Sequence, residues 1–169
     1  MQAPGGTPVG PSGKRIKLAA ISLAVVGLDQ LTKFLVVSNL AEGESHRLVD
    51  GVLRLSHIRN SGAAFGTFRG FSGLLALAAV VGVIVIIGLL VQRPSPMTGV
   101  GAALVAAGAC GNLLDRLFRG PFGRGTVVDF VDPRFWPAFN VADSAITIGA
   151  LLIVLAGVLE KPRAKQVTA

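Results

Sequence analysis

At 169 residues the chain has the length of one domain, but a hydrophobic fraction of 51% and a mean hydropathy of +0.66 exclude an ordinary soluble globule. The net charge of +7 does not point to nucleic acid, because the basic residues flank apolar runs and form no patch interleaved with aromatics; membrane topology and phospholipid headgroups account for them. The single cysteine, Cys110, lies in an apolar run, which excludes a disulfide framework and a Cys-based metal site and fits simple packing.

Residues 1–13, MQAPGGTPVGPSG, cannot bury enough apolar surface to offset their ordering entropy and read as a disordered tail. Lys14, Arg15 and Lys17 then lead into the first apolar run, expected to span at about 16–38 and interrupted by Asp29 and Lys33. Those two stand at i and i+4, the spacing of an intrahelical pair that lowers the cost of two buried charges, so a structural role is expected. Residues 39–70 are too polar to span. Within them GVLRLSHIRN alternates weakly and predicts a short β element at the membrane surface, with His46 and His57 in surface or strand roles. The glycine-rich NSGAAFGTFRG at 60–70 lacks the lysine and hydroxyl order of a phosphate-binding loop and suggests close backbone packing or substrate approach.

The uncharged run at 71–91 is the clearest span, long enough at about 1.5 Å per residue to cross a hydrocarbon core of roughly 30 Å. A third is expected at 98–118, with Asn112, Asp115 and Arg116 near its end, and a fourth at 141–159, with Asp143 at its start. Between these two, 119–140 combines RGPFGRG with VVDFVDPRFWPAF; Pro133 and Pro137 forbid a regular helix there, and Phe and Trp136 suit the headgroup interface.

The expected fold is an all-α integral membrane protein of four transmembrane helices with a small extracytoplasmic β element. Its domain runs 16–160, between a tail at 1–15 and a tail at 161–169. An even helix count puts both termini on one side, and Lys14, Arg15, Lys17, Arg93, Lys161, Arg163 and Lys165 make that side cytoplasmic. The charge rule is not obeyed cleanly, since Arg47, Arg54, Arg59, Arg69, Arg119, Arg124 and Arg134 fall in the outer segments.

With these spans, Asp115, Asp129 and Asp143 gather near one membrane face, accompanied by Asn60, Asn112 and Asn140. The pairs in NLLD (112–115) and NVAD (140–143) share a helix face. Ionisable groups at membrane depth usually face a protein interior or a cleft and mark function. A plainer reading stands beside that one: Asn140 caps a helix whose dipole Asp143 complements, and Asp115 pairs locally with Arg116. If Asp129 and Asp143 approach closely they cannot both ionise, and the pair shares a proton. One carboxylate then takes a proton from water attacking a peptide carbonyl, while its protonated partner hydrogen-bonds the oxyanion. A small proton-coupled membrane transporter is the rival, since intramembrane aspartates also relay protons. A scaffold with capping residues is a third reading.

The blocks DQLTK (29–33), RNSGAAFG (59–66), GNLLDR (111–116), VVDF (127–130) and FNVADSAI (139–146), in this order on four spans, resemble the bacterial lipoprotein signal peptidases, or type II signal peptidases. The resemblance covers about 16–159. It implies an aspartyl endopeptidase of the bacterial plasma membrane, active near the extracytoplasmic face, that cleaves diacylglyceryl-modified prolipoproteins just before the lipidated cysteine. It implies Asp129 and Asp143 as the catalytic dyad, and Asn60, Asn112, Arg116 and Asn140 as residues that bind substrate or orient the carboxylates. Asp29, Lys33 and Asp115 are taken as structural support. No metal and no cofactor are expected, and the partners are diacylated prolipoprotein and membrane phospholipid, with the chain a monomer. The link FRGPFGRGT looks longer and richer in Gly, Pro and Arg than the family pattern and is expected to extend an outer loop.

Overall fold

The structure is a computed structural model that describes residues 11–61, 95–120 and 125–159. In chain order these form α1 (Pro11–Asn39), β1 (Ser45–Val49), β2 (Leu53–Asn60), α2 (Pro96–Phe118), β3 (Val127–Pro133) and α3 (Val141–Leu159). All three helices are long and apolar enough to cross a membrane. The span expected at 71–91 lies outside the described residues, as do most of the glycine-rich segment after Asn60 and residues 121–124 of the link before β3. The first helix begins at Pro11, inside the segment read as a tail, so the polar–basic stretch before the apolar run is its opening turns.

The start of α2 follows from local sequence. Ser95 accepts the Thr98 N–H at 3.2 Å through its hydroxyl, and Pro96 occupies the first turn, where its missing N–H costs nothing. The large side chains Leu28, Leu31 and Phe34 of α1 and Leu151, Val154 and Val158 of α3 are exposed, as a lipid-facing surface requires. Between α2 and α3 the contact is made by small residues. A Cβ at Gly101 would stand 2.7 Å from the Gly149 carbonyl oxygen, and one at Gly108 would collide with the Ala142 carbonyl oxygen and lie 2.8 Å from Ile146 Cγ1. Close backbone approach of this kind drives helix association where lipid and side chain are equally apolar. Gly108→Val therefore lowers stability by about 1–3 kcal/mol or more, read as a fall in Tm in detergent; an unchanged Tm would contradict the packing.

The sheet is antiparallel with order β1-β2-β3. Asp50–Gly51 turns the first hairpin, with Gly51 at φ 71° and the Val52 N–H donating to the Val49 carbonyl at 3.1 Å. The expected β element within 39–70 is thus only two-thirds of the sheet. The third strand comes from VVDFVDP, within the 119–140 segment whose prolines exclude a regular helix. Its first four residues are all buried, and alternation gives them separate tasks. Val128 and Phe130 pack with Val36 and Leu40 at the end of α1, whereas Asp129 faces the other way. The Phe139 backbone exchanges hydrogen bonds with Val131, both at 2.9 Å, so the chain enters α3 tied to the strand that carries Asp129.

His57 lies on β2 and is buried; its Nδ1 is 2.9 Å from the Leu40 carbonyl oxygen, joining strand to helix end. His46 on β1 is exposed, 3.1 Å from Glu44.

Candidate active site

Asp129 and Asp143 reach the same place from different elements, one from β3 and one from the first turn of α3. Asn140 connects them. Its side-chain amide donates to Asp129 Oδ1 at 2.7 Å, while its Oδ1 accepts the Asp143 N–H at 3.0 Å and its own N–H donates to Asp143 Oδ2 at 3.2 Å. The last two contacts form a reciprocal capping box, with Asn140 as cap and Asp143 three residues on. The capping expected of Asn140 is therefore present, and the same residue also holds Asp129.

The remaining donors close around the pair. Asn60, at the end of β2 and diagonal to Asp129 across the ladder, donates to Asp129 Oδ2 at 2.9 Å. Asn112, on α2, donates from Nδ2 to Asp143 Oδ1 at 2.8 Å. Arg116 lies within electrostatic range of Asp143, Asp129 and Asp115, and its Nη1 donates to the Asn112 carbonyl at 3.2 Å. The local Asp115–Arg116 pair expected from sequence is replaced by longer-range partners. Asp115 binds Lys33 Nζ at 2.8 Å and Arg119 Nε at 2.7 Å, and its Oδ2 accepts the Val128 N–H at 3.3 Å, next to Asp129 in the chain. Helical geometry explains the change: residues i and i+1 point about 100° apart, whereas Arg119 at i+4 lies over the same face.

Below the carboxylates sits a closed charge cluster. Lys33 and Asp29 are both fully buried and 2.9 Å apart, as the i, i+4 spacing allows. Asp29 also accepts the Ala142 N–H at 2.9 Å, so a carboxylate of α1 caps the start of α3 beside Asp143. Gly111 makes room for it, because a Cβ there would stand 2.6 Å from Asp29 Oδ2. Gln30 was not singled out from sequence. Its Nε2 bridges Asp29 at 3.1 Å, the Gly111 carbonyl at 3.1 Å and Asp115 at 3.3 Å; its place inside DQLTK was the available signal. Among the described residues, no group of three or more His, Cys, Asp or Glu is arranged to hold a metal ion.

Asp129 is 2% exposed. Burial pushes its carboxyl from an ordinary 3.8 up to about 6, and the nearby Asp143 charge pushes the same way, against the Asn60 and Asn140 donors and the Lys33 charge. A carboxyl with a raised folded-state pKa favours the folded state in acid. Below about pH 4 it is protonated in both states; as pH rises through about 6 the unfolded chain has already ionised, and roughly 3 kcal/mol is lost. The stability difference between wild type and Asp129→Asn should therefore shift by about that amount, against wild type, from about pH 4 to about pH 7. A flat difference in matched denaturation curves would contradict the raised value.

Long apolar helices, with one strand-borne and one helix-borne carboxylate held by a single asparagine, define an integral membrane protein with an acidic site at a helix start. Comparison with known proteins gives the family. The signal peptidase II family, Peptidase_A8, matches residues 21–159. The lipoprotein signal peptidase of Rhodococcus jostii is 43% identical over 84% of this chain and 72% of its own length, and that of Syntrophomonas wolfei is 38% identical over 85% and 94%. A solved bacterial membrane enzyme superposes with a TM-score of 0.78 at 29% identity, covering 89% of this chain and 92% of its own. The chain belongs to the lipoprotein signal peptidase family, a bacterial membrane family of aspartic endopeptidases.

Proposed function

We propose that this protein removes signal peptides from diacylglyceryl-modified prolipoproteins, cutting just before the lipidated cysteine with a water activated by Asp129 and Asp143. The observation that carries this reading is the Asn140 bridge. One residue hydrogen-bonds both carboxyls, and burial raises the Asp129 carboxyl to about 6, so that Asp129 keeps a proton more readily than an ordinary carboxyl does. One carboxylate accepts a proton as water attacks the carbonyl carbon of the scissile bond. The other, protonated, donates a hydrogen bond to the developing oxyanion and then gives its proton to the leaving nitrogen. Asn60, Asn112, Asn140 and Arg116 orient the carboxylates or contact substrate, while Asp29, Lys33 and Asp115 hold the helix ends in place. No metal or cofactor enters the reaction.

The same reading has four transmembrane helices, at about 16–38, 71–91, 98–118 and 141–159, in a domain at 16–160. Tails at 1–15 and 161–169 lie in the cytoplasm. The site opens near the extracytoplasmic face, beside the lipid that carries the substrate's acyl chains, and the enzyme works as a monomer.

The test is incubation of the purified full chain with a diacylated prolipoprotein, with and without a chelator, followed by mass analysis. The expected product begins at the lipidated cysteine and forms equally in both samples. Cleavage elsewhere or chelator sensitivity overturns the mechanism, and proton flux in liposomes without cleavage returns the case to a transporter.

A further inference from the structure

The fully buried Lys33 ammonium has three hydrogens and three acceptors: Asp29 Oδ2 at 2.9 Å, Asp115 Oδ2 at 2.8 Å and Asn112 Oδ1 at 3.0 Å. An ammonium only donates, so the end of the Asn112 amide that faces it must be the oxygen. The same oxygen accepts the Asn140 amide at 3.2 Å. The Asn112 NH2 is thereby left to face Asp143 Oδ1, 2.8 Å away. Flipping the amide would set an NH2 against two donors at one end and an oxygen against a carboxylate at the other, so the orientation is settled by chemistry.

We propose that Lys33 is a positioning residue for the reaction: clamped by Asp29 and Asp115, it fixes the Asn112 amide so that Asn112 donates to Asp143 and holds that carboxylate for the attacking water. This deepens the function proposed above and rests on it. The relay crosses three elements, from α1 through α2 to the first turn of α3. The charged groups around it are Asp29 and Lys33 on α1, Asp115 and Arg116 on α2 with Arg119 at its C-cap, Asp129 on β3 and Asp143 on α3. A lysine serving only to neutralise two aspartates would need no contact with Asn112.

The test compares kcat and KM for wild type, Asn112→Ala, the charge-balanced pair Asp29→Asn with Lys33→Met, and that pair combined with Asn112→Ala, all as full-length enzyme in detergent with diacylated prolipoprotein. The expected result is a fall of about 10- to 100-fold in kcat for Asn112→Ala, with KM within about threefold. The charge-balanced pair should show a comparable fall, and adding Asn112→Ala to it should cost little more, because the relay is already broken. If Asn112→Ala lowers kcat by the same factor in both backgrounds, or if the pair raises KM and leaves kcat intact, the proposal is overturned.

Should the charge-balanced pair not fold, the relay is read by side-chain amide NMR of 15N-asparagine-labelled enzyme. The Asn112 resonance, assigned by its loss in Asn112→Ala, is expected to move on Asp143→Asn; an unmoved resonance overturns the relay. Asp143→Asn also separates the two levels. If it cleaves normally the dyad reading fails, whereas an inactive Asp143→Asn beside an unaffected charge-balanced pair removes only the role of Lys33.

Discussion

Asp129→Asn and Asp143→Asn are each expected to lower kcat for signal-peptide release by about 10²–10⁴-fold or more, in a protein that still inserts and melts cooperatively. An asparagine keeps the size and most hydrogen bonds of either carboxyl but cannot take a proton from water, so the loss is chemical. The structure makes the two replacements unequal in their side effects. At position 129 the new side chain faces two amide donors, from Asn60 and Asn140, and its oxygen can satisfy only one end. At position 143 the new side chain also faces two donors, the Asn112 NH2 and the Asn140 N–H, but the residue is only half-buried and the Asn140 side chain still accepts the residue 143 N–H, which limits the loss. Equal inactivity with unequal stability is therefore expected, measured as cleavage of a diacylated substrate beside Tm in the same detergent. Near wild-type cleavage by either variant would remove it from the dyad.

Lys33→Met is expected to destabilise the fold strongly. It removes the one cation among the described residues that contacts both Asp29 and Asp115, two carboxylates that are fully buried. Breaking a buried ion cluster from one side costs about 3–5 kcal/mol, since the remaining charges lose their partner and do not regain water. Arg119 still contacts Asp115, and the Ala142 N–H still contacts Asp29, which limits the loss but does not neutralise the pair. A large fall in Tm and in the yield of folded protein is expected, with much of it restored when Asp29→Asn is added to rebalance the charge. A fall that Asp29→Asn leaves untouched would show that packing of the lysine stem, and not charge, dominates.

Much of the site was legible in the chain. The spacing of Asp29 and Lys33 on one helix face, the repeated Asn-x-x-Asp pattern and the position of Asp143 at the start of an apolar run are local facts. Helical geometry converts such facts directly into neighbours. β3 was less legible: VVDFV is rich in valine and phenylalanine as a strand should be, but five residues between a glycine-rich loop and two prolines carry little weight without a partner to pair with. The partners of Asp115 were not legible, because a charge next to Arg116 in sequence has no reason to prefer Lys33, 82 positions away, until α1 and α2 pack together.

By itself, then, the sequence determined the membrane class, the apolar helices, the helix-start geometry of Asn140 and Asp143, and, through its ordered blocks, the family. Only the tertiary structure decided that a strand, and not a loose loop, delivers Asp129, that Asn140 bridges the two carboxylates, and that a buried Lys33 meets the Asn112 amide behind Asp143. The division has a physical cause. Helical periodicity and capping are interactions between residues three or four apart, written in the order of the chain. Buried charges find partners only when folding removes water and brings distant elements within hydrogen-bond reach.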